Sequence, residues 1–465
     1  MGETTRRQKT NEVDRPGRYS TKGFHGRAAQ GRRKVTFRAV TRTVVGIAVT
    51  VLLFRTFLIQ GLFFPVRIAG DSMATSLLGR HLQVTCKQCD FTFSCGIGWI
   101  GQYHGWIGQY QQGTCPNCGS EGNPLGNAQV REGKRVFIER AAFFHRNPRR
   151  WEIVALKNPS SGNQLQVKRI VGLSGEQISI RHGDVYANGM IARKSLEQLK
   201  TLAILVYDDN YPGRPDKSIS RFTAHGKWHR DDLGYLVDST LNRQSARSSE
   251  PETLRYRHFE CTAGAMHDQQ GSHITDYYGF NPLLSTRRHY VTDVLLQLQI
   301  QLLQTGILKI NLHDGIAPWQ VSLDGGQQCV SAFCSDQLVS TVPCKLSLQT
   351  TLLIDVATCD QRLLVAVEGK TILALPYNPD PTQFTPVAQP IGFQADDQLK
   401  ARLSQLKIFR DIYYLDPQGA NQDWQAAHVL EQDEYFLLGD NAPVSQDSRT
   451  TDWRVRRRHL LGRVF

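Results

Sequence analysis

The chain has 465 residues, 40% of them hydrophobic and 21% charged, which excludes a disordered protein and suffices for several domains with real cores. Its formal net charge is +13, but the excess is terminal: residues 1–42 hold 12 Lys/Arg against 3 Asp/Glu, and residues 449–465 hold six Arg against Asp452. The long middle is close to neutral, so no basic groove for nucleic acid is expected.

Residues 1–42 form a polar, basic tail. Residues 43–62 belong to an apolar run, "TVVGIAVTVLLFRTFLIQGLFFPV", interrupted only by Arg55. Arg38 and Arg55 would stand ~26 Å apart along a helix, close to a hydrocarbon core of ~30 Å if both side chains reach outward. The run is read as a single transmembrane anchor. A cleaved signal peptide or a buried core helix has similar hydropathy, but the long basic head favours the anchor. The positive-inside rule then places the N-terminus in the cytoplasm and everything after Arg55 outside it, at the cell membrane.

Residues 63–85 contain "RIAGDSMATSLLG". Residues 86–120 carry "CKQC" and "CPNCG", spaced C-x2-C-x25-C-x2-C. Two such pairs suit a tetrahedral ion, so Cys86, Cys89, Cys115 and Cys118 are read as a zinc-ribbon-like site with structural zinc. Disulfides are the competing reading outside the cytoplasm. Between the pairs, "GWIGQYHGWIGQY" is a near-tandem repeat, read as a duplicated hairpin tip. An aromatic finger touching the bilayer or a polypeptide is the sharper alternative.

Residues 132–198 are strand-like, with "KRVFIERAAF", "RRWEIVALKNP", "QVKRIVGL" and "EQISIRHGDVYANGM" in succession. Residues 199–429 change texture to short alternating strands between Asp/Gly turns, the pattern of a β-sandwich. Residues 430–465 return to a strand and a polar loop, "EYFLLGDNAPVSQDSR". The whole is read as mainly β: a transmembrane helix, a β core in three pieces, a metal-ribbon insert and an inserted jelly-roll sandwich.

The chemistry begins with Ser72, in "GDSM", with Gly70 expected to let the backbone turn tightly. A serine hydroxyl needs a base, and none of the 14 histidines stands in a marking context. Lysine serves if burial lowers its pKa from ~10.4 toward 7–8. The run "QLQVKRIVGL" places Lys168 and Arg169 on opposite faces of an apolar strand, so one of the two is expected to point inward.

Four blocks in this order, after an apolar segment, resemble the bacterial type I signal peptidases. "PVRIAGDSM" matches their P-x-x-I-x-x-x-S-M, and "RRWEIVAL" matches a strand motif ending in R-G-D-I-V. "KRIVGLSGE" matches K-R-V-V-G-L-P-G-D, and "GDNAPVSQDSR" matches G-D-N-x-x-x-S-x-D-S-R. The resemblance covers about a third of the chain. It implies a membrane-bound serine endopeptidase that cuts signal peptides from secreted preproteins after small residues at −1 and −3, with no cofactor for catalysis. Ser72 would be the nucleophile, Lys168 the general base, and Ser445 the group that orients the lysine. Asp447 would pair with Arg449 and Arg169, and Asp440 and Asn441 would shape the loop presenting Ser445. The oxyanion would be held by the Ser72 N–H and a second donor, since Gly70 stands where some members have a serine. Val66, Ile68 and Met73 would line shallow substrate pockets. Thr75-Ser76, Ser174, Lys134 and Trp151 depart from the family pattern without removing a catalytic group.

The 199–429 insert resembles laminin-G or concanavalin-like sandwiches, through "VAVEGKTILAL" and "LKIFRDIYY". It implies a glycan or envelope protein as a further partner. The alternative function is therefore an envelope- or glycan-binding membrane protein whose peptidase core is only a platform.

Overall fold

The computed structural model describes residues 37–465 except 75, 98–111, 159–161, 214–219, 239–252, 263–270, 283–286, 418–420 and 451–454. The basic tail before residue 37 and the aromatic repeat at 98–110 lie outside the described residues. Two compact units result, Met1–Arg55 and Thr56–Phe465.

One helix, Phe37–Phe57, is long and apolar enough to cross a membrane, with mean hydropathy 1.7 and none of it buried by protein. It starts earlier than the 43–62 segment read from hydropathy. Arg38 and Arg42 continue the helical hydrogen bonding, and Thr41, Thr43 and Thr50 each donate to the carbonyl four residues back.

The second unit is built around a seven-stranded sheet. From one edge its strands are Phe63–Arg67, Arg135–Glu139, Leu460–Val464, Ile153–Asn158, Gln164–Gly172, Glu434–Leu438 and Val455–Arg456. Chain segments hundreds of residues apart interleave, and the C-terminal strand closes the gap between 135–139 and 153–158. Apolar clusters cover both faces of the central strand: Ile170 packs with Val154, Leu156 and Leu437, while Val171 packs with Ile178, Phe436 and Leu438. This two-sided burial departs from the expectation that only one of Lys168 and Arg169 points inward. Lys168 is 3% exposed and Arg169 2%. A second small sheet contains the strand Asp184–Ala187 between two turns with positive φ, at His182–Gly183 and Asn188–Gly189, as "HGDVYANG" predicts.

The sandwich is present. One sheet has eight strands, with Lys400–Arg410 beside Val294–Gln304 at its centre, and the other has seven, centred on Ile391–Ala395 and Ile307–His313. Alternation does this: Ile307–His313 reads half-buried, buried, half-buried along its length, and Leu308, Ile310 and Leu312 enter the core between the sheets. "VAVEGKTILAL" forms the expected hairpin, its turn made by Glu368 and Gly369 at φ 51° and 73°. The Lys400–Arg410 strand, which contains "LKIF", lies in mid-sheet.

The helix Leu196–Leu202 joins sandwich and core. Ser195 and Gln198 form a capping box at its start, and Leu196 and Leu199 pack on Leu295, Ala357 and Leu364 of the sandwich. Beside it the Lys194 ammonium is buried between Asp360 and Asp411. The sandwich strands run from Ile204 to Arg410. Trp424–Gln425 pairs with Ile178–Arg181 of the small sheet, and the segment just after Arg410 is shared, with Tyr413 and Leu415 packed into the sandwich and Ile412 and Tyr414 into the core.

Candidate active site

The strand Gln164–Gly172 aims Lys168 into the sheet interior, on the face it shares with Val154 and Ile170. Burial among these side chains pushes its pKa down to about 8, against the opposing field of Asp447. Lys168 Nζ donates to Ser445 Oγ at 2.9 Å. A lysine so placed gives up its proton more readily than an exposed one, and its amine is held by a fixed partner.

Ser445 comes from the loop after Glu434–Leu438. That loop is held by an ion pair buried to 0% and 1% exposure: Arg449 Nε and Nη2 donate to the two Asp447 oxygens at 2.9 and 2.8 Å. Arg449 also donates to the Ala442 and Leu415 carbonyls, and Asp447 accepts from the Gly439 N–H. Burial alone would raise the Asp447 carboxyl, but the Arg449 guanidinium overrides it and holds the group below the usual range.

Arg169, on the opposite face, does not pair with Asp447. It makes a bidentate bridge to Asp440, at 2.7 and 2.6 Å, and donates to the Trp151 carbonyl at 2.7 Å and to Ser76 Oγ at 3.0 Å. Strand alternation forces the choice: Asp447 lies on the lysine's side, and Asp440 lies where the strand turns its other face. Sequence reading missed Ser76 and the Trp151 carbonyl as partners. Trp151 stands at φ 70°, in the left-handed region, which explains why the related motif has glycine there. Its indole is buried, and the Lys194 ammonium lies 4.8 Å from the ring centre.

Ser72 is half-buried in the turn Asp71–Ala74, where the Ala74 N–H donates to the Asp71 carbonyl at 3.0 Å. The Asn441 N–H donates to the Ser72 carbonyl at 3.0 Å. Gly439 is the hub between the two serines. A Cβ there would collide with both Ser445 Oγ and the Ser72 carbonyl, so no other residue permits this approach. Gly70 proves different from its expected role. Its φ is not left-handed, and among the described residues no atom comes within 4 Å of where its Cβ would stand. Its lack of a side chain leaves open space two residues before Ser72 and is not required by the turn. Ile68 and Met73 are core residues, 7% and 1% exposed, packed with Val136, Ile138 and Ala155, and Val66 is half-buried beside them.

The four cysteines expected at the ribbon do converge. Two knuckles form: the Cys86 N–H donates to Phe91 O and Asp90 N–H returns to Cys86 O, while Cys115 and Gly119 repeat the pattern. Sulfur separations are 3.6 Å for Cys86–Cys118 and 3.7 Å for Cys89–Cys115, and one sulfur from each of the four lies within 4.8 Å of the others. A disulfide needs ~2.05 Å. Four thiolates at ~2.3 Å from one ion stand about 3.8 Å apart, so the donor set fits a tetrahedral metal. All ten cysteines are unbridged thiols, including Cys95, whose pKa burial pushes up to about 12.

Residues 126–232 match the family described as signal peptidase, peptidase S26. The chain therefore carries a signal-peptidase-like, serine peptidase domain. No curated protein matches the chain. Among solved structures it is similar to the carbohydrate binding module CBM66 from Bacillus subtilis, at 10% identity and TM-score 0.26, over 40% of this chain and 94% of that one. It is also similar to a tetrameric galectin from the ball sponge Cinachyrella sp., at 19% identity and TM-score 0.20, over 26% and 93%. A basic winged bean lectin with Tn-antigen is similar at 9% identity and TM-score 0.26, over 41% and 92%.

Proposed function

We propose that the chain is a membrane-anchored serine endopeptidase that removes signal peptides from secreted preproteins after small residues at −1 and −3. The observation that carries this is the buried Lys168, with its pKa lowered to about 8 and its Nζ held by Ser445, which Gly439 brings against the Ser72 turn.

In this reading the neutral Lys168 amine takes the Ser72 Oγ proton as that oxygen attacks the scissile carbonyl. The Ser72 N–H and a second donor hold the oxyanion. The Lys168 ammonium then gives its proton to the departing amine, leaving an acyl-serine and the released mature chain. Water, deprotonated by the same lysine, hydrolyses the ester and frees Ser72 with the signal peptide as a carboxylic acid. Asp440, Arg169, Asp447 and Arg449 keep the two loops in register. Val66 contributes to the pockets, with Ile68 and Met73 as their floor.

The N-terminus lies in the cytoplasm and the catalytic unit outside it. Phe63, Phe137 and Phe465 form an exposed aromatic cluster, with ring centres 5.9 and 6.1 Å apart, and Phe144 is 72% exposed. Such a surface suits the bilayer interface, where preproteins emerge. Cys86, Cys89, Cys115 and Cys118 hold a structural zinc ion.

A second reading, a glycan-binding role for the sandwich, is favoured by one observation. A trough of about 380 Å³ crosses the outer face of the seven-stranded sheet, where Arg255, Gly392, Asn311 and Gln320 form one row across four paired strands. Amide and guanidinium groups around a side-chain-free floor suit a polyhydroxylated ligand.

The test is cleavage of a model preprotein with an Ala-x-Ala site by the detergent-solubilised chain. Ser72→Ala and Lys168→Ala should each abolish it. An intact, folded chain that leaves the substrate uncut would transfer the function to the sandwich.

A further inference from the structure

The sandwich sends one excursion back to the Ser72 turn. It leaves at Thr275 and returns at Tyr290, which pair as an isolated bridge, and its base is stapled by Asp276, which accepts from the His289 backbone N–H at 3.0 Å and from its ring at 2.9 Å. Arg410, the last residue of a central sandwich strand, donates to the carbonyls of Asp276 and Tyr277 at 2.7 and 3.0 Å. The excursion is thus fixed to the sandwich.

Its segment Tyr278–Asn281 is wedged between the ribbon insert and the loop that follows Glu434–Leu438. The Phe280 carbonyl accepts from the Gly96 N–H at 2.8 Å, and its ring stacks on Tyr278 and occupies the space a Gly96 side chain would need. On the other side Asn281 and Asn441, 7% and 1% exposed, form a reciprocal amide pair. Asn281 Nδ2 donates to Asn441 Oδ1 at 2.7 Å, and Asn441 Nδ2 donates to Asn281 Oδ1 at 3.1 Å.

Asn441 has no freedom left. Its Nδ2 also donates to the Asp71 carbonyl at 3.0 Å, and its backbone N–H donates to the Ser72 carbonyl at 3.0 Å. A carbonyl only accepts, so the Asn441 amide nitrogen must face Asp71, and its oxygen must face a donor. Asn281 is that donor. Without it a buried acceptor has no partner, a condition folded proteins avoid by rotating or admitting water. Either response loosens the grip on both carbonyls that flank the Ser72 N–H.

We propose that Asn281 is a positioning residue for the reaction: the inserted sandwich reaches into the catalytic unit and, through Asn441, fixes the backbone of the Ser72 turn. The sandwich is then a working part of the peptidase. This rests on Ser72 being the nucleophile.

The test compares Asn281→Ala, Asn281→Leu (which keeps the volume), Asn441→Ala and the Asn281→Ala/Asn441→Ala double variant in the full chain. Preprotein cleavage and hydrogen exchange are measured on each. In both Asn281 variants kcat should fall about tenfold, equivalent to about 1.4 kcal/mol of transition-state stabilisation. KM should stay within about twofold and the pH midpoint should be unchanged, since Lys168 is untouched. Exchange should rise in the Ile68–Ala74 segment while the strands Val294–Gln304 and Lys400–Arg410 stay protected. The double variant should be no worse than Asn441→Ala, because the two act in series.

Wild-type kcat and wild-type exchange at Ile68–Ala74 in Asn281→Leu would overturn the proposal, and so would fully additive losses in the double variant. If the wild type cuts no preprotein, the peptidase reading fails, while the exchange comparison still decides whether Asn281 holds the turn.

Discussion

Lys168 Nζ and Ser445 Oγ meet at 2.9 Å across a sequence separation of 277, about three quarters of which is an inserted sandwich. The contact is possible because the strands that carry them, Gln164–Gly172 and Glu434–Leu438, are neighbours in one sheet. Its consequence is a pH dependence with a defined sign. Burial lowers Lys168 to about 8, so kcat/KM should rise through pH 8 as the amine loses its proton. The unfolded lysine titrates near ~10.4, so the unfolded state binds more protons between about 8 and 10.4, and this group makes the fold more stable as pH rises across that window. Ser445→Ala should lower kcat about 10- to 100-fold by releasing the amine, with little change in KM. A pH–rate profile of the wild type and this variant checks both.

Gly439→Ala adds a methyl group against Ser445 Oγ and the Ser72 carbonyl. Overpacking of this kind costs about 1–3 kcal/mol. Because the strain falls between the two serines, turnover should drop at least about tenfold while the chain still melts cooperatively. Steady-state cleavage and a thermal melt, run on one preparation, separate the two effects.

Asp440→Ala strips the partner from a guanidinium that is 3% exposed. Breaking a buried ion pair from one side costs about 3–5 kcal/mol, more than removing both ends. The double variant Arg169→Met/Asp440→Leu should therefore be more stable than Asp440→Ala alone. Denaturant midpoints of the three proteins decide this.

The Cys86, Cys89, Cys115 and Cys118 cluster should bring one zinc ion per chain through purification. Cys115→Ser should reduce it strongly, and a chelator should destabilise the surrounding strands 81–85 and 92–96. Metal analysis with thiol titration under denaturing conditions tests it. Finding no metal and four fewer titratable thiols would instead establish disulfides.

Trp151 holds a left-handed backbone that glycine adopts freely, at a cost of about 1–2 kcal/mol. It repays this by filling a buried site beside Lys194. Trp151→Gly should therefore relieve strain yet lower stability by about 2–3 kcal/mol net, the loss of a buried aromatic outweighing the gain. Chemical denaturation measures the balance.

Much of this protein follows from sequence by itself. The apolar helix, the strand at 164–172, the paired cysteines and the alternating strands of the sandwich each depend on neighbours within a few residues, where hydrophobic period and turn chemistry operate. Ser72, Lys168 and Ser445 stand in short motifs, and it is the resemblance of those motifs to a known family, not local periodicity, that singles them out. Tertiary structure decided what depends on which faces meet. It buried Arg169 as well as Lys168, because the sheet is covered on both sides, and gave Arg169 to Asp440 instead of Asp447. It made Gly439 and not Gly70 the glycine that close approach demands. It also placed Asn281, an unremarked residue in the insert, against Asn441. No local pattern encodes that pair, because it exists only where two remote loops are forced into the same buried space and must satisfy each other's hydrogen bonds.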